Sequence, residues 1–121
     1  MGEVSGGYRD LVVWQKSYKV AQAIYKSTDV FPSKEIYGLV SQMRRSAVSI
    51  PSNIAEGYRR NSSGDFARFL SISFGSLAEL ETQILLSTDF GYMHKAESDK
   101  IMSALNEISK MLLGLIKKVR E

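Results

Sequence analysis

Apolar positions recur three and four residues apart along four stretches of this chain, and no stretch alternates with period two. The pattern predicts amphipathic helices and no strands. The first stretch runs from about Asp10 to Thr28. Leu11, Trp14, Tyr18, Ala21 and Tyr25 form its row, with Val13, Val20 and Ile24 beside it, and Asp10 is the expected N-cap. Asp29-Val30-Phe31-Pro32 stops it, because the residue before a proline avoids the helical region. The second stretch follows Ser33, an expected N-cap with Glu35 in the first turn, and reaches about Glu56, with Gly57 as its C′ residue. The third opens at Ser62 or Ser63 with Asp65 in its first turn. Phe66, Leu70, Leu77, Leu80 and Ile84 make its stripe, and it ends near Asp89-Phe90-Gly91. The fourth starts at about Lys95 or Ala96, and its seam of Ile101, Leu105, Ile108, Leu112, Leu115 and Val119 is a heptad alternation.

Pro51 interrupts the second stretch with a residue that cannot donate to the carbonyl of Ala47. The apolar phase nevertheless runs unbroken through Met43, Ala47, Ile50 and Ile54. That continuity predicts one helix kinked at Pro51, with Ser49 or Ser52 satisfying freed backbone groups; the alternative is a fresh start with Pro51 at the first helical position. Helices of about twenty residues joined by short connections pack as antiparallel neighbours. The expected fold is all-α: an up-down-up-down four-helix bundle over residues 8–121, preceded by a flexible tail over 1–7.

Composition removes several kinds of chemistry. The chain has no cysteine, so it has no disulfide, thiolate metal site or thiol nucleophile. Its single histidine, His94, falls in a connection and has no partner at metal-ligand spacing. Glu79 and Glu81 project to different sides of a helix, and no glycine-rich phosphate loop is present. No enzyme and no cofactor is therefore expected. The apolar runs are too short to span a membrane and the N-terminus has no secretory apolar core, so the expected location is cytoplasmic.

Charge type matters more than net charge here. No lysine occurs between Glu35 and His94; the cations there are Arg44, Arg45, Arg59, Arg60 and Arg68. Arginine without lysine is the composition of a protein interface, because guanidinium is weakly hydrated and pairs in a planar fork. On a helical wheel Gln42, Arg45, Ser49, Asn53 and Glu56 lie opposite the apolar stripe of the second stretch. Arg68, Ile72, Gly75, Ser76, Glu79 and Gln83 face outward or sideways on the third. The expectation is self-association through Gln42, Arg45, Ser49, Asn53, Glu56, Ile72, Gly75, Ser76 and Glu79, with Arg44 or Arg45 pairing with Glu79 or Glu81 across the contact.

Four blocks now carry a resemblance: Leu11-Val12-Val13-Trp14-Gln15-Lys16, Gly38-Leu39-Val40-Ser41-Gln42-Met43-Arg44-Arg45, Ser49-Ile50-Pro51-Ser52-Asn53-Ile54-Ala55-Glu56-Gly57 and Gly75-Ser76-Leu77-Ala78-Glu79-Leu80-Glu81-Thr82, with Phe31-Pro32 between the first two. Together they resemble the bacterial four-helix-bundle family encoded in intervening sequences of 23S ribosomal RNA genes, which carries the S23 ribosomal protein label. The resemblance covers about Tyr8 to Val119. It implies a bundle that assembles as a homopentamer, without enzymatic activity. That family is also similar to the accessory variability protein of diversity-generating retroelements, a pentamer that binds reverse transcriptase and nucleic acid.

Two functions follow as expectations. In the first, an oligomer binds RNA or DNA through a repeated basic surface, since five copies of a +3 chain carry about +15. The candidate contacts are Arg44, Arg59, Arg60, Lys117, Lys118 and Arg120, with Tyr8 and Tyr58 available for stacking on bases. In the second, the chain is an adaptor for another protein, such as a reverse transcriptase, and nucleic acid is secondary.

Overall fold

The computed structural model describes residues 6–121. Among them lie four helices: α1 (Val12–Thr28), α2 (Leu39–Tyr58), α3 (Ser63–Asp89) and α4 (Lys95–Arg120). Two 3-10 turns, Gly7–Asp10 and Ser33–Glu35, precede α1 and α2, and there is no strand among the described residues. The all-α four-helix fold is the one the periodicity predicts.

Contacts between helices fix their directions. Lys16 of α1 meets Glu107 of α4, and Ser27 meets Glu97, so these two run oppositely. Arg44 near the start of α2 bonds Thr28 at the end of α1, while Arg59 beyond α2 lies over Tyr8 before α1. Met43 touches Ser87 and Ser49 touches Ser76 across α2 and α3. Each helix is thus antiparallel to its neighbour.

The core is aliphatic, with Ile24, Met43, Ile50, Ile54, Leu70, Leu80, Ile84, Leu105, Ile108 and Leu112 wholly buried. Each such side chain contributes about 1.5–3 kcal/mol by leaving water. Small hydroxyls fill the gaps between helices. Ser17, Ser73 and Ser87 donate to the carbonyls of Trp14, Ile50 and Gln83. Two buried polar atoms, Ser46 Oγ and Gln83 Oε1, have no hydrogen-bond partner among the described residues.

One helix spans Pro51. The carbonyls just before it gain side-chain donors: Asn53 Nδ2 reaches Ser49 O at 2.9 Å and Ser73 Oγ reaches Ile50 O at 2.9 Å. Ser49 turns its own hydroxyl to Ser76 and Asn53, and Ser52 points to solvent, so neither plays the expected backbone role.

The helix starts differ from expectation. Asp10 does not cap α1; it lies in the 3-10 turn, where its carboxylate accepts from Gly6 N at 3.1 Å, and α1 begins from Leu11. Gly6 and Gly7, assigned above to the tail, belong to this turn, and Gly7 uses a left-handed φ of 61°. Residues 1–5 of the expected tail lie outside the described residues. Ser33 opens a 3-10 turn, and α2 begins only at Leu39. Glu35 still serves the positive end of α2, from outside it: Leu39 N donates to Glu35 Oε1 at 3.2 Å. Ser62 does cap α3, accepting from Asp65 N at 3.1 Å.

Gly57 is a packing residue rather than a terminator. It lies inside α2, and a Cβ there would stand 2.6 Å from Cβ of Phe69 on α3. Three stripes also shift. In α1 the buried row is Val13, Ser17, Val20 and Ile24, while Tyr18 and Tyr25 are exposed on the flank toward α2. In the last turns of α4 Ile116, not Leu115, is buried, since a straight helix drifts off a strict heptad. In α3 Gln83 and Ser76, read above as outward or sideways, are each only 7% exposed.

Candidate nucleic-acid interface

The up-down order brings four chain segments to one end of the bundle: the 3-10 turn Gly7–Asp10, the end of α2, the start of α3 and the end of α4. Arg9, Arg59, Arg60, Lys117, Lys118 and Arg120 therefore share this end, interspersed with Asp10, Glu56, Asp65 and Glu121. Five of the six expected nucleic-acid contacts are among them. Arg59 projects over the Tyr8 ring, 5.3 Å from its centroid. Arg60 is partly engaged, bonding Glu56 at 2.8 Å and lying 4.8 Å from the Phe69 ring. Arg68 covers the same ring at 4.6 Å. Lys117, Lys118 and Arg120 are exposed on the last turn of α4, where they also suit its negative end.

Arg44 is the exception. Its guanidinium is spent within the subunit: Nε donates to Thr28 Oγ1 at 2.9 Å, and Nη2 donates to Tyr25 O at 3.2 Å and Asp29 Oδ1 at 2.9 Å. It also stacks over the Tyr25 ring at 4.6 Å. Arg44 is a clamp on the C-terminal end of α1, at the far end from Arg59.

The residues expected to meet a second copy divide into two groups. Gln42, Arg45, Glu56, Ile72, Gly75 and Glu79 face solvent. Ser49, Asn53 and Ser76 instead form a chain between α2 and α3, with Ser49 Oγ 2.8 Å from Ser76 Oγ and 2.9 Å from Asn53 Nδ2. Ser76 therefore belongs to packing inside the subunit. Arg45, Glu79 and Glu81 make no ion pair among the described residues.

Two grooves flank α1 that the periodicity did not single out. Between α1 and α2 a groove of about 530 Å³ is lined by Tyr8, Trp14, Tyr18, Tyr25, Ala21, Gln22, Val48, Pro51, Ser52 and Ala55. Tyr8 meets Trp14 edge-on at 5.3 Å, and Trp14 stacks on Tyr18 at 4.9 Å. The signal is present in the sequence as the Trp14, Tyr18, Tyr25 row, whose helical period does not by itself separate a core face from a flank. Between α1 and α4 a groove of about 470 Å³ is lined by Lys16, Lys19, Lys26 and Lys100 with Glu97 and Glu107, over a floor of Val20, Ala23, Ile101 and Ala104.

The opposite end of the bundle exposes several apolar side chains among its charged ones. Val30, Ile36 and Tyr37 in the α1–α2 connection and Phe90 after α3 are exposed there. Nearby Tyr92 donates its hydroxyl to Glu35 Oε2 at 3.0 Å. That bond to a carboxylate, with some desolvation and the negative charge itself, raises the Tyr92 pKa above the ordinary tyrosine value.

His94 is exposed at the N-cap of α4. Among the described residues no three His, Asp or Glu side chains gather to hold a metal ion, and no helix is long and apolar enough to cross a membrane.

A family model described as 23S rRNA-intervening sequence protein matches residues 9–114. No curated protein matches. The chain is similar to a crystal structure of a protein with unknown function from the S23 ribosomal protein family of Bacteroides thetaiotaomicron. The two are 29% identical, with a TM-score of 0.79, over 88% of this chain and 99% of that one.

Proposed function

The chain belongs to the 23S rRNA-intervening sequence protein family, and from that premise we propose that it is a non-catalytic homo-oligomer, a pentamer, that binds RNA or DNA through its basic end. The observation that carries this reading is the gathering of Arg59, Arg60, Lys117, Lys118 and Arg120 at one end by the antiparallel order of the helices. Cations on separate helix termini make contacts that fix a phosphate backbone in place without reading sequence. Self-association runs through the exposed Gln42, Arg45, Glu56, Ile72, Gly75 and Glu79, and it sets several basic ends side by side. Each end contributes weakly alone, and linked copies bind with avidity.

The test is a salt titration of binding to a structured RNA and to a DNA duplex. Both are expected to bind at low salt, with log affinity falling linearly as log salt rises. Replacing Arg59 and Arg60 by glutamine is expected to lower the slope by about 1 for each lost contact. An unchanged slope removes these residues from the site. A monomer in sedimentation at micromolar concentration removes the oligomer.

The exposed apolar side chains at the opposite end favour a second reading. Val30, Ile36, Tyr37 and Phe90 are all more than half exposed, and an apolar patch of this kind fits a protein partner. In that reading the protein is an adaptor or accessory subunit, of a reverse transcriptase for example. Absence of binding to either nucleic acid at low salt selects it.

A further inference from the structure

We propose that the groove between α1 and α2 is a stacking site for unpaired bases, so that a single strand is threaded from the basic end along α1, while a duplex is held at the basic end alone. This rests on the nucleic-acid reading above and names its substrate class. Three observations lead there. Tyr8, Trp14 and Tyr18 form one continuous ring row, with centroids 5.3 and 4.9 Å apart. Tyr18 at the end of that row is 47% exposed, so a face remains free for another ring. No carboxylate lines the groove, and cations stand at its Tyr8 end, where Arg59 and Arg9 lie over that ring; at the far end Arg44 lies over Tyr25 with its guanidinium already paired with Asp29.

This charge pattern separates a nucleic acid from an apolar helix as occupant. A helix with only apolar side chains would fill the groove and would gain nothing from the cations set against the rings. A single strand offers both halves of the match, flat bases for the aromatic row and phosphates for the guanidinium rim. From Trp14 to Tyr25 the groove runs about 16 Å along the helix, room for a few nucleotides. A duplex keeps its bases paired and cannot present them to rings lying in a groove between helices.

Trp14 is the only tryptophan, which makes the site its own reporter. The full chain is titrated with a short oligothymidylate, with the matching single-stranded RNA, and with a duplex of equal length, following Trp14 emission. Saturable quenching by the single strands and not by the duplex is expected. Tyr18→Ala is expected to weaken single-strand binding roughly tenfold to a hundredfold, with duplex binding unchanged; Tyr18→Phe keeps the ring and is expected to restore it. Helical circular dichroism checks that each variant is folded.

If single strand and duplex bind alike, Trp14 stays silent and Tyr18→Ala binds normally, the groove is not a base site, yet nucleic-acid binding at the basic end survives. If nothing binds at low salt, both readings fall. If Trp14 emission instead follows protein concentration, and Tyr18→Ala abolishes self-association, a second copy occupies the groove and the proposal is overturned.

Discussion

The two flanks of α1 lie on the same helix and have opposite chemistry. Toward α2 lie Trp14, Tyr18 and Tyr25, facing Pro51 and Ala55. Toward α4 lie Lys16, Lys19 and Lys26, facing Ala104 and Glu107. One flank offers ring faces held by guanidinium groups; the other offers ammonium groups whose stems cover an apolar floor. The difference is one of hydration. A guanidinium sheds water more easily than an ammonium, so arginines lie on rings on the α2 side, while on the α4 side the lysines stay near water and Lys16 pairs with the half-exposed Glu107.

The strongest way to break the contrast is to move the α2 wall. Gly57→Ala places a methyl 2.6 Å from Cβ of Phe69 and forces α2 away from α3. A loss of about 1–3 kcal/mol in urea unfolding is expected, with altered Trp14 emission. Unchanged stability would mean that α2 is not seated by that contact.

Comparing the two anchors is the next sharpest test. Arg44→Ala removes the hydrogen bonds to Thr28, Tyr25 and Asp29 and is expected to cost about 1–2 kcal/mol, which Arg44→Lys restores only in part because it lacks the fork. A double-mutant cycle on Lys16 and Glu107, whose side chains are 3.2 Å apart and half-exposed, is expected to give less than about 1 kcal/mol and to vanish at high salt. Equal couplings would erase the distinction between the flanks.

The smallest effect is at the apolar end. The Tyr92 pKa is raised in the folded chain, so its contribution is complete below the ordinary tyrosine range and is lost as pH rises through the folded value. Alkaline titration followed by phenolate absorbance should show Tyr92 ionising above the ordinary tyrosine value, and Glu35→Gln should bring it back toward that value.

Much of the fold was legible because it depends on spacing. Met43, Ala47, Ile50 and Ile54 keep one phase across Pro51, and one helix results. Ser62 is followed by Asp65 and Phe66, and the cap forms there. Other features depend on what a residue meets from elsewhere in the chain, which spacing does not contain. Gly57 looks like a helix terminator until Phe69 is found against it. Arg44 looks like a free cation until Thr28 and Asp29 arrive from the previous helix. Trp14, Tyr18 and Tyr25 carry the helical period of a core row, but a helix in a bundle has flanks as well as an inner face, and period alone does not separate them. The basic end was half legible: its arginines and lysines stood out in sequence, and only the antiparallel order put them together.

Ser46 and Gln83 have a practical consequence. Each buries a polar atom that no described group answers, so the interior is less stable than its volume allows. Anyone wishing to harden this bundle into a carrier for grafted peptides should begin with alanine at the first position and methionine at the second, because both changes discard an unanswered dipole while leaving the outer faces untouched.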